Sequence, residues 1–174
     1  MEETFNQTAR WFGFTDAAPT FDDLQPYQVI APGVEISFEA NTGAVCRSRF
    51  DDRGKRMILD VEAVGGSRWL TMEYAVDVPS LVKARTVLWA ARMTSSPRAA
   101  YRLDLRLWLG NEGGFKDIAI GRGVLTSSER WLRETYFLDD AEDLTTCSAA
   151  KMILHLPLQA AAFGLSKVVY MPAC

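Results

Sequence analysis

The chain reads as an all-β protein, a two-sheet antiparallel β-sandwich of jelly-roll type with a short N-terminal helix. Three observations predict this. Ten short segments carry strand-like apolar patterning, and the breaks between them carry turn residues. No intervening window holds the helical crossover that parallel strands require. With 174 residues, the chain is a single domain large enough to bury a core without disulfide staples.

The elements follow in order. Phe5, Ala9 and Phe12 recur at helical spacing and Gly13 supplies a stop, so residues 2–12 are expected to form a short helix. Residues 14–26, rich in Asp, Pro and Ala, read as a loop, which makes 1–26 an extension ahead of a sandwich domain at 27–174. Strands are expected at 34–39, 45–50, 57–64, 69–76, 85–93, 101–109, 115–125, 131–138, 151–156 and 166–171. The turns between them include Asn41-Thr42-Gly43, residues 51–54, Gly65-Gly66, residues 111–114 and Asp139-Asp140. Residues 78–84, VPSLVKA, have room for one helical turn.

Composition narrows the function classes. A net charge of −3 with mixed signs argues against a nucleic-acid binder, which concentrates basic charge on one surface. Cys46, Cys147 and Cys174 cannot all pair within one chain and fit no zinc spacing, so free thiols in a reducing compartment are expected. The acidic N-terminus lacks a signal-peptide pattern, and no run approaches the ~20 apolar residues of a membrane span. A cytoplasmic protein without cofactor or metal is the expectation.

The most telling strand is 101–109, YRLDLRLWL. Tyr101, Leu103, Leu105, Leu107 and Leu109 form one apolar face, leaving Arg102, Asp104, Arg106 and Trp108 on the other. Two guanidinium groups around a carboxylate, with an indole next in line, offer planar hydrogen-bonding groups beside an aromatic platform. The competing reading is a solvated ion-pair ladder, contributing about 0–1 kcal/mol per pair.

Residues 69–173 resemble the jelly-roll carbohydrate-binding modules that share the galactose-binding-like sandwich. The resemblance rests on the order of RTVLWAARM, the polar and aromatic strand, a long hairpin, LTSSERWLRETYFL, KMILHLPL and LSKVVYM. It implies a sugar-binding sandwich. Such modules often hold a structural calcium between an early-strand carboxylate and a late-strand aspartate. Here Ser166-Lys167 takes the late position, and the lysine puts a cation where the family binds one, so calcium is set aside. Glu35, Glu39 and Asp60 are the early-strand carboxylates that would otherwise be candidates.

The candidate ligand-binding set is Trp89, Arg92, Arg102, Asp104, Arg106, Trp108, Glu134 and His155, with Trp89 and Arg92 expected from a neighbouring strand and Glu134 or Arg133 from the tryptophan strand. A loop-end alternative uses Asn111, Glu112 and Phe115. Trp11, Trp69 and Trp131 are expected to be core or packing anchors, and the N-terminal segment is a candidate cover for Trp108. Catalysis is disfavoured: His155 is the single histidine, G-x-S-x-G is absent, and arginines around Asp104 favour an ionised carboxylate that cannot act as a general acid. Two functions follow as expectations. The first is non-enzymatic binding of an acidic or hydroxyl-rich glycan. The alternative is an assembly or appendage subunit that binds a protein partner or a second copy of itself.

Overall fold

The computed structural model describes residues 10–13, 20–31, 33–51, 56–110, 114–138, 144 and 146–172, with the backbone alone for 10–13 and 170–172. Twelve strands and one helix lie within them: β1 (Arg10–Gly13), β2 (Gln28–Ala31), β3 (Val34–Phe38), β4 (Val45–Asp51), β5 (Arg56–Ala63), β6 (Leu70–Val76), α1 (Val78–Ala84), β7 (Thr86–Ser96), β8 (Ala99–Leu109), β9 (Phe115–Leu125), β10 (Arg130–Phe137), β11 (Cys147–His155) and β12 (Ala161–Pro172).

The strands form two antiparallel sheets packed face to face. Sheet I runs β10-β7-β12-β5-β4, with β1 also pairing β12, and sheet II runs β2-β3-β6-β11-β8-β9. Alternation decides which residues enter the space between them. On β8, Leu103, Leu105 and Leu107 are fully buried, and each leucine removed from water contributes about 1.5–3 kcal/mol. Trp89 of β7 faces them from sheet I, its ring centroid 6.3 Å from that of Tyr101.

Three expectations need correction or extension. Residues 10–12 do not belong to a helix: β1 pairs with β12, Trp11 opposite Val169. Residues 2–9 lie outside the described residues. The short helix sits instead at 78–84, where Asp77 caps it by accepting a 3.0 Å hydrogen bond from the Ser80 amide and Arg85 closes it at φ 53°. The loop ahead of the sandwich also contributes to the core, because Leu24 is buried and Phe21 bridges Ser48. Trp131, expected in the core, stands 40 % exposed on edge strand β10.

The run Gly121-Arg122-Gly123 has a packing explanation. A Cβ at Gly121 would lie 2.3 Å from the Glu134 carboxyl carbon, and one at Gly123 would lie 2.8 Å from the Tyr101 ring. The two glycines make room where the sheet edges meet, and there the Tyr101 hydroxyl donates to Glu134 Oε1 at 3.1 Å. Burial, reinforced by the Glu134 carboxylate, pushes the Tyr101 phenol up to about 12.

Candidate functional site: a polar groove on sheet II

The outward face of sheet II is a grid whose rows follow from strand register. One row reads Ser37, Thr71, His155, Arg102, Arg122, and the next Glu35, Glu73, Ile153, Asp104, Ala119. A third row carries Ala75, Lys151, Arg106 and Asp117, and a fourth Ala149, Trp108 and Phe115. Long side chains around the margin and small or sunken ones along the middle produce a groove of about 440 Å³. Tyr27, Trp69, Glu73, Trp108, Lys151 and His155 are among its lining residues. A second depression of about 660 Å³, shared at Trp108 and Lys151, continues past Ala149 to Val78 and Pro79.

Each end of the groove is built in the same way. Arg106 binds both oxygens of Asp117 at 2.7 Å and lies 5.9 Å from the Trp108 ring and 4.0 Å from that of Phe115. Arg68 grips Glu39 with two bonds of 2.8 and 3.0 Å and lies 5.7 Å from the Trp69 ring. In both places an indole is backed by an arginine that a carboxylate fixes in plane. Mutual hydrogen bonding raises Arg106 and holds the Asp117 carboxyl below its usual range. Trp69 and Trp108 stand roughly 25 Å apart along the strand direction, at ~3.3 Å per residue.

The floor between them is electrically closed. The Lys151 ammonium bridges Glu35 and Glu73, the latter at 3.0 Å, and these carboxylates outweigh the burial that opposes its charge. Asp104, 3 % exposed, accepts from Arg102 at 2.7 Å and lies 3.0 Å from His155 Nε2. Burial first, and then the Arg102 guanidinium, hold the imidazole below the ordinary histidine range against the pull of Asp104. Glu35 and Glu73 face each other in register, yet both are committed to Lys151. The arrangement is equipped to hold a hydroxyl-rich ligand by hydrogen bonds and stacking.

The structure divides the sequence-predicted set. Arg102, Asp104, Arg106, Trp108 and His155 come together on this face. Trp89, Arg92 and Glu134 do not. Trp89 is fully buried in the core, because β7 belongs to sheet I and its indole points inward. Arg92 lies on the outer side of sheet I, paired with Glu129 at 2.7 Å. Glu134 points between the sheet edges toward Tyr101, and β10 pairs with β7, so it cannot oppose Asp104 across neighbouring strands. Phe115 joins the site, while Asn111 and Glu112 lie outside the described residues. The early-strand carboxylates are all paired with cations: Glu35 with Lys151, Glu39 with Arg68 and Asp60 with Arg49.

Sequence reasoning missed Tyr27, Glu73, Lys151 and the groove role of Trp69. A signal for two of them was present. In WLTMEYAV the residues Leu70, Met72, Tyr74 and Val76 are buried, which leaves Trp69, Thr71 and Glu73 on the opposite face, as on β8. As for a cover over Trp108, the described N-terminal strand β1 lies on sheet I, away from the groove.

The fold is similar to that of solved carbohydrate-binding-module β-sandwiches. Three solved structures are similar. A family 22 xylan-binding domain superposes with TM-score 0.55 at 9% identity, covering 90% of this chain and 96% of that domain. A family 4 module gives TM-score 0.59 at 16% identity over 87% and 96% of the two chains. A family 11 module from Clostridium thermocellum, in complex with a β-1,3-1,4-mixed-linked tetrasaccharide, gives 0.54 at 10% identity over 90% and 98%. At these identities the likeness is one of fold. No family model matches the sequence. No curated protein matches it either.

Proposed function

We propose that the protein is a non-catalytic carbohydrate-binding domain that takes a neutral, hydroxyl-rich glycan chain in the groove of sheet II. The observation that carries this is the pairing of two arginine-backed indoles, Trp69 and Trp108, across a floor of fixed donors and acceptors. Indoles offer platforms to the C–H faces of pyranoses, and the arginine, carboxylate and lysine groups between them match hydroxyls. A neutral ligand fits better than the acidic one the arginines first suggest. Arg68, Arg102 and Arg106 each already hold a carboxylate, so none brings uncompensated charge.

The fold neighbours support a sugar ligand: one is a xylan-binding domain and another holds a mixed-linked tetrasaccharide. Binding without turnover is favoured because Lys151 occupies Glu35 and Glu73, the carboxylates that face each other in register among the described residues of the groove, so that this pair is not open to flank a glycosidic bond. The test is calorimetric titration with xylo-oligosaccharides and mixed-linked β-glucan oligosaccharides. Wild-type protein binds one of these series, and Trp108→Ala and Trp69→Ala each weaken it at least tenfold while the melting temperature holds. Equal affinity in both variants and the wild type would remove the groove from consideration.

A further inference from the structure

We propose that His155 is a proton-operated specificity switch, deciding whether Arg102 stays clamped on Asp104 or is released to hold an anionic group on the ligand. This rests on the groove reading above. The geometry is a closed triangle on the groove floor. Arg102 Nη2 lies 2.7 Å from Asp104 Oδ2, His155 Nε2 lies 3.0 Å from the same oxygen, and Arg102 Nη2 lies 3.2 Å from His155 Nε2.

One ring nitrogen cannot serve both neighbours. With Nε2 bare, it accepts from Arg102, whose guanidinium then spans the imidazole and the carboxylate. With the ring protonated, Nε2–H donates to Asp104 and presents a like charge to Arg102. Asp104 is almost fully buried and keeps its compensation from the imidazolium. Arg102, 58% exposed along its side chain, is the member able to swing away.

The surroundings give the proton its leverage. On the same outer face of sheet II as His155, among the described residues, stand Arg102, Asp104 and Arg106 from β8, Asp117 and Arg122 from β9, Thr71 and Glu73 from β6, Lys151 from its own strand and Glu35 from β3. Among these described residues four cations meet four carboxylates, so their charges balance while the ring is neutral. Burial and Arg102 favour that neutral form, which places the clamp at neutral pH and the release on the acid side. A single proton then gives the groove a net positive charge and a mobile guanidinium, the combination a uronate would select.

His155 is the only histidine of the chain, so its ring signals are unambiguous in a proton NMR titration of the ligand-free protein. The expected midpoint lies below 6.5, and the Arg102 Nε–H signal moves with the same midpoint. Asp104→Asn lowers that midpoint by removing the carboxylate that favours the imidazolium, and Arg102→Gln, a change at an exposed side chain, raises it. A second arm compares a glucuronate-bearing xylo-oligosaccharide with its carboxyl-reduced counterpart. Between pH 7.5 and 5 the charged ligand gains about fivefold in affinity and the neutral one less than about twofold. His155→Gln flattens the difference. An Arg102 signal indifferent to the His155 titration overturns the clamp, and identical pH profiles in wild type and His155→Gln overturn the specificity role. Binding of neither glycan at any pH rejects the groove reading and the specificity role with it, while the coupled titration still decides the clamp.

Discussion

Trp108 and Trp131 both stand on outward sheet faces beside an arginine, yet their settings differ. Trp108 has a neighbour on each side, Ala149 of β11 and Phe115 of β9, and an arginine locked by Asp117 lies against it. Trp131 is on edge strand β10, flanked on one side only, and its register partner Arg92 is turned to Glu129. Ser166 secures Glu129 at 2.6 Å. An exposed indole is a surface feature; one buttressed on several sides in a concave, polar setting is a candidate recognition element. Trp89 completes the contrast, being the same residue type placed wholly in the core.

The three tryptophans can be separated by substitution. The largest effect is expected at Trp89→Ala, which opens the core and costs about 3–5 kcal/mol in urea unfolding. Trp108→Ala should leave unfolding nearly unchanged while lowering glycan affinity at least tenfold, about 1.4 kcal/mol or more. Trp131→Ala is expected to change that affinity by less than about twofold; a loss matching that of Trp108→Ala would move the site to sheet I. Arg106→Lys keeps the charge but loses the bidentate grip on Asp117 and the stack on Phe115, so affinity should fall about three- to fivefold in the same titration.

A smaller effect lies in the core. The Ser48 hydroxyl is buried with no partner among the described residues, so Ser48→Ala should be neutral or should raise stability by about 1 kcal/mol. Acid should lower stability through His155. Its folded value lies below its unfolded one, so between the two the unfolded chain binds more protons, and that contribution, present above about pH 6.5, is lost as pH falls. His155→Gln should remove this slope from a pH series of melting curves.

Much of the sandwich was legible because a period of two assigns faces without knowledge of neighbours. The polar face of β8 followed from YRLDLRLWL in that way. Its partners, His155 apart, did not. Chain order made β7 the natural neighbour, which brought Trp89 and Arg92 into the expected site. In the fold β7 and β8 enter different sheets, and β11, far along the chain, inserts between β6 and β8. That long-range insertion sets the expected His155 opposite Arg102 and adds Lys151, and no local pattern announces the pairing. The N-terminal helix rested on three spaced apolar residues; pairing along β12 prevailed over that short periodicity from Arg10 onward.

On the proposed reading, the groove of sheet II, and not the outer face of sheet I, meets the glycan. Indole Nε1–H signals report this directly in a 15N-resolved titration with an oligosaccharide. The Trp69 and Trp108 signals are expected to shift together on binding while those of Trp131 and Trp89 stay in place. A shift at Trp131 with Trp69 and Trp108 unmoved would contradict it.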